Sequence, residues 1–152
     1  DPAADAFLLL QDDALICPFS GLREYLETVI WPEGRPAIAS LYCAGAYTQP
    51  RRGWYRYRGR WQWGGLAFLF SRRVAQRFMR DRYVIMHRWR PAGQVNVDGV
   101  IGRWAHRTRV PLYYPTPSLV QHIGETSTLW QSSQADRDRQ ADWFAAGVDD
   151  LP

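Results

Sequence analysis

The hydrophobic positions of the chain fall into short runs and helical repeats, which together predict alternating strands and helices. The continuous apolar run Ala6–Leu10 is typical of a strand buried on both faces, and the largely apolar stretches 37–42 and 66–70 predict two more buried strands. Apolar residues also recur at three- and four-residue steps over 22–30, 74–79 and 97–105, as in helices that cover a sheet. Ser20 and Ser71 are predicted to cap the first two helices. This order of elements predicts an α/β fold with a mixed sheet and helices on its faces.

Two stretches carry weaker patterns. Between residues 54 and 63, aromatic side chains take the odd positions and Gly59 indicates a bend, so two short strands are predicted. Residues 110–123 contain three prolines, which favour an edge strand or an irregular loop. We therefore expect one domain over residues 1–130 and a polar C-terminal tail over 131–152, in which 141–144 could form a short docking helix.

Composition narrows the class of protein. Hydrophobic residues make up 46% of the 152 positions and charged residues 22%, which favours a globular chain over a disordered one. No apolar run approaches the roughly 20 residues of a membrane-spanning helix, and no signal core is visible, so a cytoplasmic protein is expected. Cys17 and Cys43 are predicted to be buried, reduced thiols rather than a disulfide.

The net charge of +4 would suit an anionic partner, but it is weak support for one. All nineteen basic residues are arginine, which indicates a coding bias that runs through the whole chain.

Three acidic or imidazole groups are candidates for chemistry. Asp12 and Asp13 follow the first predicted strand, and two adjacent carboxylates are favoured there if they meet a divalent cation. His122 is a competent ligand for a borderline metal such as Mn²⁺. Asp98 stands at the start of a predicted helix, where it could act as a general base. The alternatives are a solvated turn for the acidic pair, a structural role for the histidine and an ordinary helix cap for Asp98.

The order of these segments resembles that of the GT-A glycosyltransferases. Gln11-Asp12-Asp13 is similar to the family's acidic DxD or EDD turn, and the stretch 117–124, Pro-Ser-Leu-Val-Gln-His-Ile-Gly, is the most specific local match. Two further segments stand between these in the family's order. They are the glycine-rich segment that begins at Gly64 and the acid before a helix, Asp98.

This resemblance implies a metal-dependent enzyme that uses Mn²⁺ or Mg²⁺ and transfers a sugar from a nucleotide-diphosphate donor to a glycan or other acceptor hydroxyl, with inversion. It implies the following roles: metal ligands Asp13, Asp12 and His122; donor-binding residues Gly64, Gly65 and Gln11; catalytic base Asp98. Tyr55, Tyr57, Trp61 and Trp63 would stack on sugar rings, with packing into the core as the alternative.

The chain departs from the family's pattern at two points. Gln11 stands where many relatives have an acid, and only ten residues precede it, where the family has about a hundred that bind the nucleotide. The resemblance therefore implies a partial GT-A-like fold that lacks most of the amino-terminal nucleotide-binding half.

Two other functions remain open on the sequence. A noncatalytic carbohydrate-binding remnant would bind glycans without a metal. A nucleic-acid-binding module would use the arginine and aromatic residues of 51–63, although the three acids named above contribute nothing to that role.

Overall fold

The computed structural model describes residues 3–61, 64–87, 96–124 and 139–152. The strands are β1 (Ala6–Leu10), β2 (Ala14–Ile16), β3 (Ile38–Ser40), β4 (Gly53–Tyr57), β5 (Ala67–Ser71), β6 (Leu112–Thr116) and β7 (Val120–His122). The helices are α1 (Leu22–Val29), α2 (Arg72–Arg80), α3 (Arg82–His87) and α4 (Val97–Thr108), with 3₁₀ turns at Gly45–Tyr47 and Val148–Asp150.

The main sheet has five strands in the order β1-β5-β3-β6-β4, and β2 pairs with β7 in a separate two-stranded ribbon. Only β3 and β6 pair in parallel, and the other neighbouring pairs of the sheet are antiparallel. The α/β class and the mixed sheet are therefore confirmed. Because β1, β3 and β6 run in the same direction, their carboxyl ends lie at one edge of the sheet.

Two hydrophobic clusters cover the two faces of this sheet. Successive β3 residues, Ile38 and Ala39, belong to different clusters, as expected when side chains alternate across a strand. Helices α2 and α4 contribute to the cluster of Ile38. Helix α1 and the segment 139–152 contribute to the cluster of Ala39. The sheet is thus a central layer between helices on one side and a helix plus an irregular segment on the other.

Strand β1 is not buried, contrary to the prediction from its apolar run. It lies at an edge of the sheet, where Phe7, Leu8, Leu9 and Leu10 are 39–46% exposed. A continuous apolar run indicates that both faces of a strand are hydrophobic. It does not indicate whether the strand lies at an edge or in the interior of the sheet.

Strand β6 corrects a second prediction. It is buried throughout and lies between β3 and β4, so it is neither an edge strand nor a loop. Its pairing with β3 involves only Leu112 and Tyr113, whereas its pairing with β4 extends through Pro115. Pro115 therefore has a strand neighbour on one side only. For this reason an interior strand can contain a proline, which has no N–H to donate.

The two predicted serine caps are both wrong in detail. Helix α1 begins after Gly21 without a side-chain cap, so Ser20 plays no such role. Ser71 does occupy the cap position of α2, but its hydroxyl accepts a hydrogen bond from the backbone N–H of Ala37 at 3.1 Å instead of closing the helix. That hydroxyl ties α2 to the strand beside β5.

The predicted polar tail is also corrected, as far as it lies within the described residues. Ala145 is completely buried, and Ala141 is 7% exposed. The N–H of Ser118 donates to the carbonyl of Trp143, and the N–H of Ala145 donates to the carbonyl of Ser118, at 2.8 and 2.9 Å. Residues 139–152 are therefore part of the folded unit rather than an appendage to it.

Both cysteines are free and buried, which confirms the sequence prediction. Burial raises the pKa of the Cys17 and Cys43 thiols, so the reactive thiolate form is disfavoured at both. In the part of the chain that the structure describes, no helix is both long and apolar enough to span a bilayer.

The packing of Ala145 gives a direct test of the role of the C-terminal segment. Leucine at position 145 would be larger than the completely buried alanine that it replaces. We therefore expect Ala145→Leu to lower the free energy of unfolding by about 1–3 kcal/mol in urea denaturation. Ala146 is exposed, so Ala146→Leu is the matched control and should leave stability nearly unchanged. Equal stabilities for the two variants would show that the segment does not pack as described.

Candidate functional site

The candidate residues predicted from the sequence come to one edge of the sheet. The acidic turn follows the carboxyl end of β1, and Gly64 and Gly65 precede β5, which pairs antiparallel with β1. The N–H of Gln11 donates to the carbonyl of Leu66 at 2.9 Å, so the two loops are joined directly. In open α/β sheets, this edge is the usual place for ligands.

The ribbon of β2 and β7 brings the distant histidine to the acidic turn. Its register places Ala14 opposite His122. The N–H of Ile123 donates to the carbonyl of Asp13 at 2.9 Å, which extends the pairing by one step beyond the strands. The Asp13 and His122 side chains are thereby held next to each other.

The carboxylate and imidazole are in direct contact. Asp13 Oδ2 lies 3.0 Å from His122 Nε2, and the side chains are 36% and 12% exposed, respectively. Their remaining polar atoms, Asp13 Oδ1 and His122 Nδ1, are buried without a hydrogen-bond partner among the described residues. A Cβ atom on Gly124 would stand 3.0 Å from Asp13 Oδ2, so the backbone of Gly124 lines the pair closely. A partly exposed carboxylate thus lies beside a largely buried imidazole whose Nδ1 atom is without a hydrogen-bond partner among the described residues.

The pair has the spacing that two metal ligands need. Adjacent ligand atoms, each about 2.1 Å from an octahedral cation, are roughly 3.0 Å apart, which is also the separation of Asp13 Oδ2 and His122 Nε2. Among the described residues, however, no group of three His, Cys, Asp or Glu side chains could hold a metal ion. Asp12 is exposed in the turn and does not complete such a group. The protein therefore offers two ligands, and a bound cation would need oxygen atoms from a ligand or water for the rest of its shell.

Asp98 is held against the glycine-rich loop. Helix α4 is capped by Asn96, whose side chain accepts from Gly99 N at 3.0 Å, so Asp98 is not the cap. Its carboxylate instead accepts a hydrogen bond from the N–H of Gly65 at 2.8 Å and is 9% exposed. Burial raises the pKa of the Asp98 carboxyl, and the hydrogen bond from Gly65 opposes this shift. A raised pKa makes the carboxylate a stronger proton acceptor.

Sequence reasoning missed two residues near this loop. A Cβ on Gly64, which has a φ of +93°, would stand 3.0 Å from the Tyr42 ring. The Tyr42 hydroxyl donates to the carbonyl of Arg139, and the positive charge of Arg139 favours the ionised form of Asp98. Tyr42 belongs to a strand-like apolar run and Arg139 to an apparent tail, so no local signal in the sequence distinguishes either one.

The aromatic row needs a correction. Trp61 is 1% exposed and stacks on Tyr47 at a centroid distance of 4.6 Å, so it is a core residue and offers no free face to a sugar. Tyr55 and Tyr57 are partly buried against the same cluster. Aromatic and polar side chains alternate in β4 as predicted, but the aromatic rings face the core, where Tyr47 and Tyr114 pack. Trp63 lies outside the described residues.

Comparisons of this chain with protein-family models, with curated proteins and with solved structures found no match to any of them.

The contact between Gly65 and Asp98 can be tested by a single methyl group. A Cβ at position 65 would overlap the Asp98 carboxylate, so we expect Gly65→Ala to displace that side chain and to destabilise the protein by about 1–3 kcal/mol. At Gly147 a Cβ meets nothing within 4 Å and φ is −177°, which makes Gly147→Ala the control. Thermal unfolding of both variants decides the point: a loss of stability at position 147 but not at 65 would contradict this geometry.

The pKa of Asp98 predicts a pH dependence of stability. Because burial raises the pKa of Asp98 in the folded protein above its ordinary value, the favourable contribution of its protonated form is complete at acidic pH and is lost as the pH rises through the folded pKa. Asp98→Asn removes this loss and keeps an oxygen acceptor for Gly65. The free energy of unfolding of the variant, relative to wild type, should therefore increase as the pH rises from the acidic range through the folded pKa of Asp98. The exposed Asp5→Asn serves as the control for removal of one negative charge, and a flat difference for Asp98→Asn would refute the buried carboxylate.

Proposed function

We propose that this chain belongs to a metal-dependent glycosyltransferase of GT-A type, which transfers a sugar from a nucleotide-diphosphate donor to an acceptor hydroxyl with inversion. The observation that carries the proposal is the 3.0 Å contact of Asp13 with His122, at the sheet edge that also holds Gly64, Gly65 and Asp98. The roles of these residues come from the family that the sequence resembles, and their proximity supports applying those roles to this chain.

The acidic turn and the histidine would bind the cation of a metal diphosphate. Mg²⁺ sites commonly use one or two protein ligands together with substrate phosphates, which fits the two ligands offered here. Mn²⁺ also accepts imidazole, so the presence of His122 favours Mn²⁺. The bound cation would supply charge stabilisation as the nucleoside diphosphate leaves. Asp13 and His122 would hold the cation, with Asp12 beside Asp13 in the turn.

The glycine-rich loop would hold the donor sugar and position the base. Gly64 and Gly65 let the backbone approach the donor without a side chain, and Gln11 is fixed beside them through Leu66. The N–H of Gly65 orients Asp98, which would take the proton from the acceptor hydroxyl as that oxygen attacks the anomeric carbon. Attack from the face opposite the leaving group gives inversion.

Metal-dependent hydrolysis of nucleotide sugars tests the site. With Mn²⁺ present, we expect release of nucleoside diphosphate from a panel of nucleotide sugars to fall by about tenfold or more in Asp13→Asn and in His122→Gln, because each variant removes a metal ligand. Asp5→Asn and His87→Gln are the matched controls, since they make the same chemical changes elsewhere. EDTA should abolish the release, and added Mn²⁺ should restore it.

The possible outcomes separate the functions that the sequence left open. Unchanged metal-dependent turnover in both ligand variants would rule out this site. Glycan binding that is indifferent to EDTA and to both variants, with no donor hydrolysis, would instead identify a carbohydrate-binding module.

A further inference from the structure

A cavity lies at the C-terminal end of helix α4. It has a volume of about 540 Å³ and is formed by the end of β4, the turn that follows it and the residues around the C-terminus of α4. Asp98 is near the start of α4 and Arg109 follows its end, so at 1.5 Å per residue the two are roughly 16 Å apart along the helix axis. Its lining includes neither Asp98 nor the candidate metal ligands Asp12, Asp13 and His122, so the cavity is separate from the candidate metal site.

The wall of this cavity carries basic side chains without partners among the described residues. Arg58, His106 and Arg109 line it and are exposed, and none of their side chains forms a hydrogen bond or an ion pair with a described residue. Arg56, a fourth lining residue, is paired with Glu33 at 3.3 Å. Two guanidinium groups on this concave surface, those of Arg58 and Arg109, are therefore free to contact an anionic ligand.

The backbone at Arg109 supports a role for its side chain. Arg109 follows α4 in the left-handed conformation with φ of 58°, a position that glycine usually occupies. A non-glycine residue there is strained by about 1 kcal/mol. The negative end of the helix dipole also favours a cation at this point. The dipole would act on a cation anywhere around the helix end, so it does not explain why Arg109 lines the cavity.

The floor of the cavity is largely apolar. Val110 and Leu112 are buried, and the ring of Tyr57 lies beside them. Trp61 also lines the cavity, and its buried indole N–H has no partner among the described residues. The volume falls within the roughly 300–1,000 Å³ range of small-molecule sites. A ligand that fits would combine an anionic group with an apolar part.

We propose that this cavity binds the phosphate or diphosphate group of a phosphorylated small molecule, with Arg58 and Arg109 as the main anion contacts and His106 as a further donor. Guanidinium groups match phosphate oxygens in charge and in geometry. The carrier of the phosphate lies over the apolar floor. This site does not depend on the metal site and works without a cation.

Binding of inorganic pyrophosphate in the presence of EDTA tests this site without contribution from a metal. We expect Arg58→Gln/Arg109→Gln to weaken binding in titration calorimetry by about tenfold or more, since two charge-assisted contacts are lost. Arg23→Gln/Arg73→Gln removes the same net charge from exposed residues outside the cavity and should bind as wild type does. His106→Gln keeps the helix end intact and should weaken binding by a smaller factor, which preserves the test if the double variant fails to fold.

Four further outcomes bear on the proposal. Equal weakening in both double variants overturns it, because general charge attraction would then account for the data. The absence of binding to wild type at about millimolar pyrophosphate also overturns it. Binding to vesicles that contain phosphatidic acid but not to phosphatidylcholine vesicles, with loss in the cavity variant, supports it and identifies a lipid as the source of the phosphate. Single-stranded RNA that binds more tightly than pyrophosphate, with a steep salt dependence, overturns it in favour of nucleic acid.

Discussion

The pairing of β2 with β7 is the constraint on which the candidate chemistry depends. Asp13 and His122 are far apart in sequence, and this ribbon holds them side by side. Ser118 anchors the ribbon to the sheet: its buried hydroxyl accepts from the N–H of Cys43 at 2.9 Å and donates to the carbonyl of Val120 at 2.6 Å. A buried hydroxyl thus helps to position the His122 imidazole, and the same backbone pairing positions the Asp13 carboxylate beside it.

The sequence predicted the class of fold because apolar periodicity is a local property. Apolar runs correctly located the strands that became β1, β3 and β5, but they could not distinguish an edge strand such as β1 from an interior one such as β6, since that depends on partners distant in sequence. The same limit applies to Ala145, whose burial accompanies two backbone hydrogen bonds, from the N–H of Ser118 to the carbonyl of Trp143 and from the N–H of Ala145 to the carbonyl of Ser118. No local pattern contains that information.

The candidate site was predicted unevenly for a related reason. The Asp13 and His122 pairing came from resemblance to a family, not from periodicity, because an isolated histidine has no pattern of its own. The role of Asp98 as something other than a cap becomes visible only when Gly65 is brought to it. Arg139 and Tyr42 had no signal, and the aromatic row misled because alternation does not say which face is covered. Chemistry-bearing residues were recognisable by type, whereas their neighbours were set by tertiary packing.

Strand β1 has a consequence for how the protein behaves in the laboratory. It carries no charge, proline or glycine, both of its faces are apolar, and its outer edge has no strand partner among the described residues. Natural sheets usually interrupt such edges with charges or bulges to prevent intermolecular strand pairing. Protein concentration is therefore an experimental variable in its own right: dilution series and light scattering need to accompany any titration before a heat or a rate is assigned to the isolated chain.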